Sequence, residues 1–146
     1  MTSPPAAGVP RLDHVGILVR DLDSALTHWC DRFGVEVART VEVPVMSISA
    51  AFLNVSGAEV ELYTLHDPDA LDAALHGAPA KLDHVALRLP DADGPELAGC
   101  AIRGPGRPEP IAAPIPMGDT THVWTEPPGI DVLLQLIRPT AGNRIT

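Results

Sequence analysis

The sequence contains one internal echo. Residues 11–15 read Arg-Leu-Asp-His-Val, and residues 81–85 read Lys-Leu-Asp-His-Val. The likeness runs on: Ile17, Leu18 and Val19 match Leu87, Arg88 and Leu89, and Asp21 and Asp23 match Asp91 and Asp93. A period near half the chain means that one supersecondary unit occurs twice. Each copy then carries a histidine, His14 or His84, at the same place on its first strand.

The residues between the echoes supply the elements of that unit. Residues 12–20 alternate as a strand, with Val15, Ile17 and Val19 on one face and His14, Gly16 and Leu18 on the other. Leu22, Ala25, Leu26, Trp29, Cys30 and Phe33 recur at helical spacing. Asp21 or Asp23 can cap this helix, and Gly34 can end it. Residues 35–43 and Met46 to Val55 read as strands, separated by Pro44. A turn at Ser56-Gly57-Ala58 leads into a strand over 59–64. The first copy is therefore β-α-β-β-β. A short helix from Asp67 to Gly77 joins it to the second copy. There the spacing predicts a poorer helix near Pro95 to Ile102, an irregular or edge strand over Glu109 to Met117, and strands over Thr120 to Thr125 and Ile130 to Ile137. The expected fold class is α+β: two βαβββ modules, 11–66 and 81–138, joined by a linker helix in 67–80. Residues 1–10 and 139–146 are expected to be flexible tails.

At 146 residues such a chain can bury one core as a single domain. A net charge of −9 argues against nucleic acid or an anionic membrane surface as partner. No run reaches the ~18 apolar residues of a membrane span, and the first residues lack the pattern of a signal peptide. Cys30 and Cys100 have no metal-type spacing, so they read as free thiols in a reducing compartment. The expected location is cytoplasmic.

Two further residues complete a constellation. Glu61 lies on the last strand of the first copy and Gln135 on the last strand of the second, within matching frames Val60-Glu61-Leu62 and Leu134-Gln135-Leu136. A polar group buried unpaired at mid-strand costs roughly 1–3 kcal/mol. Convergence on one divalent ion is a reason to accept that cost. Imidazole nitrogen, carboxylate oxygen and amide oxygen together suit Zn²⁺, Ni²⁺, Co²⁺, Mn²⁺ or Fe²⁺. A single strand histidine is more often just a hydrogen-bonded, half-buried residue. Two in equivalent places, each followed by an acid or amide at equivalent range, favour ligands.

Leu12 to Ile17, Asp21 to Gly34, Leu82 to Ala86 and Val132 to Leu136 carry a resemblance to the vicinal oxygen chelate superfamily, which includes glyoxalase I, methylmalonyl-CoA epimerase, extradiol dioxygenases and bleomycin-binding proteins. The likeness spans about 11–138 and implies paired modules whose sheet curves around a metal site. The chain most resembles the methylmalonyl-CoA epimerases. On that pattern His14, Glu61, His84 and Gln135 fall on the metal ligands. Glu61 stands where the epimerases usually have Gln, and Gln135 where they usually have Glu. The resemblance places one catalytic base of the epimerases at Gln135 and the other at Ala50, and neither residue can take a proton. The expected function is therefore that of a metal-dependent isomerase or lyase, not the epimerase itself. A divalent metal would act as Lewis acid toward a small, largely apolar carbonyl or vicinal-oxygen substrate, and Glu61 would be the single catalytic carboxylate. Arg88, Ala50, Phe52 and Tyr63 are candidate substrate-binding residues. Glu59 is a possible second acid or base, and His122 a weaker candidate for a substrate contact. The expected assembly is a homodimer. The alternative is a binding protein of the bleomycin-resistance kind without catalysis.

Overall fold

A computed structural model describes residues 8–91, 101–107, 110–111, 114–130 and 132–140. The first half runs β1 (Arg11–Val19), α1 (Leu22–Phe33), β2 (Glu36–Val43), β3 (Ile48–Val55) and β4 (Ala58–Leu65). Helix α2 (Pro68–Leu75) links it to β5 (Ala80–Arg88), β6 (Ala101–Ile102), β7 (Ile115–Met117), β8 (Thr120–Glu126) and β9 (Leu133–Pro139). The nine strands among the described residues form one mixed, curled sheet in the order β2-β3-β4-β1-β5-β9-β8-β6, with β7 also paired to β8.

That order is a mirror of itself. Strand β1 pairs parallel with β4, and β5 pairs parallel with β9. The halves meet where β1 and β5 run antiparallel. Both first strands, with their histidines, therefore lie at the centre of the sheet.

Local chemistry explains the clearest elements. Asp21 accepts from the backbone N–H of Ser24 and caps α1, while Gly34 takes the left-handed conformation that ends it. The apolar stripe of α1 packs Leu22, Leu26 and Trp29 over Val19, Leu53 and Leu62 on the outer face of the first half-sheet. The inner face carries the main core, including Leu18, Met46, Ile48, Phe52, Tyr63, Leu65 and Trp124, closed from one end by Leu71 and Leu75 of α2.

Several sequence expectations shift in detail. Helix α2 ends with His76, not Gly77, as its left-handed cap. Pro44–Met46 form a single 3₁₀ turn, so β3 begins at Ile48 and not at Met46. Most of the second helix expected near Pro95 to Ile102 lies outside the described residues, but Ile102 belongs to β6, so that helix cannot extend to it. Of the expected strand over Glu109 to Met117, Ile115–Met117 forms β7, with Pro116 opposite Thr121, while Glu109, Ala112 and Ala113 lie outside the described residues. Cys30 is a free, half-buried thiol, and Cys100 lies outside the described residues. Among those residues no helix is long and apolar enough to cross a membrane.

Candidate metal centre

The sheet register builds the site. Gly16 stands opposite Glu61 on one side and His84 on the other. Ala86 stands between His14 and Gln135 in the same way. Each histidine is thus separated from an acid or amide by one small residue on the intervening strand. The space at Gly16 is needed, because a Cβ there would collide with the imidazole of His84.

His14, Glu61 and His84 converge. Their nearest approaches are 3.3 Å between the two Nε2 atoms, 3.6 Å from Glu61 Oε2 to His14 Nε2, and 3.6 Å from Glu61 Oε1 to His84 Nε2. Both histidines are almost wholly buried. Two ligand atoms bound about 2.0–2.1 Å from one tetrahedral ion stand about 3.3–3.4 Å apart. The His14–His84 separation fits that spacing.

The preceding aspartates determine what the histidines offer. His14 Nδ1 is 2.7 Å from Asp13 Oδ2, and His84 Nδ1 is 2.8 Å from Asp83 Oδ2. An ionised carboxylate only accepts, so each Nδ1 carries a hydrogen and each Nε2 is the ring nitrogen turned inward, where it can serve as a metal ligand. A shared cation stabilises two converging lone pairs, and this is the arrangement by which carboxylates commonly orient metal-binding histidines. Strict alternation along a strand would put Asp and His on opposite faces. Here Asp13 and Asp83 are each the unopposed residue at a register shift between β1 and β5. A bulge of this kind re-aims a side chain. The sequence analysis missed this role, although the repeat contained both aspartates beside both histidines.

Electrostatics separates the carboxylates. The hydrogen bond from His14, followed by the charges of His14 and Arg88, outweighs burial and holds Asp13 at about 2. Burial pushes Asp83 upward, but its bond and attraction to His84, with the charge of Arg103, bring it below the ordinary range. Burial dominates at Glu61 and lifts it to about 7, with His14 pulling the other way. Without a cation, Glu61 is therefore poised to hold or release a proton near neutrality.

The site opens into a cavity of about 220 Å³ whose apolar wall includes Val41, Met46, Ile48, Ala50, Phe52 and Trp124. Gln135 also lines it. The Gln135 Nε2 is 2.8 Å from His122 Nδ1, and its buried Oε1 has no partner among the described residues. Gln135 Oε1 is thus an orphaned buried acceptor on a residue lining the same cavity as His14, Glu61 and His84. Imidazoles, carboxylate and amide oxygen also make a chemically consistent donor set for a divalent transition metal.

A family model described as the Glyoxalase/Bleomycin resistance protein/Dioxygenase superfamily matches residues 13–95, more than half of the chain. The chain belongs to this superfamily. A search of curated protein sequences finds no match. Among solved structures, methylmalonyl-CoA epimerase from Mycobacterium tuberculosis is 22% identical, with a TM-score of 0.70, covering 94% of this chain and 93% of that one. A Streptomyces coelicolor methylmalonyl-CoA epimerase variant in complex with 2-nitronate-propionyl-CoA is 21% identical, with a TM-score of 0.66 and coverage of 90% and 98%. A hypothetical protein from Bacillus halodurans C-125 is 14% identical, with a TM-score of 0.67 and coverage of 92% and 97%. At these identities the likeness concerns the glyoxalase-like fold. As a superfamily member the chain carries a buried His14/Glu61/His84 cluster that could bind a metal.

The remaining candidate residues divide. Ala50, Phe52 and Tyr63 line the cavity. The Phe52 ring meets His14 edge-on at 5.2 Å and carries Arg39 over its face at 4.0 Å. The buried hydroxyl of Tyr63 has no partner among the described residues, and burial, followed by the charge of Asp83, pushes its pKa well up. Arg88 lines the cavity too, but its Nε and Nη2 both hold Asp13 Oδ1 at 3.1 Å. Glu59 is paired with Arg39 and is not part of the cavity wall. His122 lines the cavity between Gln135 and Thr120. Burial lowers its pKa to about 4, with Arg88 and His14 adding to the effect and Asp13 opposing it.

Proposed function

We propose that the chain is a divalent-metal-dependent isomerase or lyase acting on a small, largely apolar carbonyl or vicinal-oxygen compound. The observation that carries this reading is the convergence of two Nε2 lone pairs and the Glu61 carboxylate, with both tautomers set by buried or half-buried aspartates. His14, Glu61, His84 and Gln135 would hold the ion. The metal would supply Lewis-acid polarisation of a substrate oxygen.

The chain's own residues do the rest. Glu61, as a ligand able to detach from the ion, moves the single proton. Asp13 is tied to His14 and Arg88, so it is not free to act as a second base. Strand β3 contributes no carboxylate, and the cavity meets Ala50 and Phe52 there. Exchange of a proton between two opposed bases is therefore unsupported, which argues against epimerisation of methylmalonyl-CoA itself. The apolar wall excludes water and orients the body of the substrate. Arg88 can reach a substrate anion only by sharing its hold on Asp13. The assembly expected with this reading is a cytoplasmic homodimer, which light scattering would test.

Elemental analysis of purified protein after metal repletion tests the reading, with His14→Ala and Glu61→Ala as controls. One equivalent of divalent metal, lost in both variants, is expected. Solvent deuterium should then exchange into a suitable carbonyl compound, and Glu61→Gln should stop it. Metal binding with no exchange in any compound tried, together with tight retention of an apolar ligand, would favour the non-catalytic binding protein. Absence of metal from the repleted wild type would remove the enzyme reading.

A further inference from the structure

We propose that Thr120 and His122 form a positioning relay that turns the amide of Gln135 so that its oxygen, not its nitrogen, faces the metal-binding cavity. This inference rests on the metal reading above and concerns how the fourth ligand is chosen.

The direction of each hydrogen bond follows from a count of hydrogens. The Thr120 hydroxyl has one hydrogen and donates it to the backbone carbonyl of Met117 at 2.9 Å. That bond closes the β7–β8 hairpin, where Met117 and Thr120 are register partners. Thr120 Oγ1 can then only accept from His122 Nε2, 2.9 Å away. A neutral ring with its hydrogen on Nε2 has a lone pair on Nδ1. The group 2.8 Å from that lone pair must be a donor, so it is the Gln135 Nε2 amide nitrogen. Oε1 is thereby left buried and unpartnered, ready to act as a ligand. The chain of bonds is anchored in backbone at one end and ends at the cavity at the other.

The relay also accounts for the residue type at position 135. A glutamate there would set a carboxylate oxygen against the Nδ1 lone pair, and His122 would have to gain a hydrogen on Nδ1 while its Nε2 hydrogen still serves Thr120. The registers Phe52↔Glu61 and Trp124↔Gln135 place Ala50 in the first half where His122 stands in the second. Glu61 therefore has no such reader beside it and keeps both oxygens for the histidines. The geometry gives the amide to the second half and the carboxylate to the first.

Long-range ¹H–¹⁵N correlation of the histidine rings in labelled wild-type protein reads the tautomer directly. His122 is expected with hydrogen on Nε2 alone, and Gln135→Glu should add one on Nδ1. Titration with Co²⁺, followed by its visible absorption, reads the ligand. His122→Ala should weaken Co²⁺ binding by about 10–100-fold, as removal of a metal ligand's supporting partner commonly does. Thr120→Val should weaken it less, and Thr120→Ser should restore it. An Nδ1-protonated ring in the wild type would overturn the relay while leaving the metal site standing. So would unchanged Co²⁺ affinity in both His122→Ala and Thr120→Val, given that His14→Ala abolishes binding. A wild type that binds no Co²⁺ would remove the metal reading, and this inference with it.

Discussion

Strands β4 and β9 occupy matching places in the two halves, and each presents one polar side chain to the centre. Glu61 on β4 directs its two oxygens to His14 and His84. Gln135 on β9 is tied through its nitrogen to His122. Around them the halves repeat one scaffold: a bulged aspartate, a histidine, and a small residue on the first strand. Duplication thus supplied a symmetric frame, and divergence at a few positions distributed the chemistry. Among the described residues, the first half holds the only cavity-lining carboxylate raised toward neutrality in the metal-free protein. The second half holds an amide that cannot titrate. Gly16 and Ala86 differ as well, and so do Leu18 and Arg88.

Exchanging the two variable ligands tests that division most strongly. Glu61→Gln should lower proton exchange by about 100-fold or more, the usual scale for loss of a general acid or base. Adding Gln135→Glu to it should restore metal affinity without restoring exchange, because the carboxylate then lies in the half that has His122. Recovered exchange in the double variant would show that the halves are interchangeable.

The small residues make the next comparison. Gly16→Ala should drive His84 from its place, with about a 100-fold or greater loss of metal affinity and a lower Tm. Ala86→Gly should cost only about 0.5–1 kcal/mol of stability, from backbone entropy, and leave metal binding close to wild type. Thermal melts and metal titration of the pair measure both.

The aspartates should differ in degree. Asp83→Asn and Asp13→Asn should each weaken metal binding by about 10–100-fold, with Asp83 the larger, since its carboxylate is fully buried and its field is less screened. Arg88→Met should act as a weaker form of Asp13→Asn. The Arg88–Asp13 pair is partly exposed, so its effect on stability should be within about 1 kcal/mol.

The smallest effect concerns pH. His122 titrates near 4 in the fold against 6.5 for an ordinary histidine. Between those values the unfolded chain binds the extra proton, so stability falls as pH drops from 6.5 toward 4. Metal-free Glu61, at about 7 against 4.5, contributes the opposite slope over an overlapping range. Denaturant melts of metal-free wild type and His122→Asn should therefore converge as pH falls through this window, whereas a constant gap would show that His122 does not carry the term.

Much of this is legible in the sequence. The echo of Leu-Asp-His-Val located the two first strands, and the frames around Glu61 and Gln135 located their parallel partners. Helix α1 followed from its spacing and cap. The poorer periodicity after Pro95 gave less, and the prolines from 110 onward obscured β7. Glu59 and Arg88 looked available from strand alternation alone, yet Arg39 and Asp13 hold them. Arg88 and Asp13 lie 75 residues apart, so no local pattern pairs them.

By itself the sequence determined the duplication, the strand positions of His14, Glu61, His84 and Gln135 and the single carboxylate among them, because these depend on residue identity and strand period. Only the tertiary structure decided which way those groups face. The bulges that turn Asp13 and Asp83 toward their histidines arise from the pairing of β1 with β5. The relay through His122 arises from the pairing of β8 with β7 and β9. Hydrogen-bond direction and bulge placement depend on which strands become neighbours, and a local pattern of residues does not specify that.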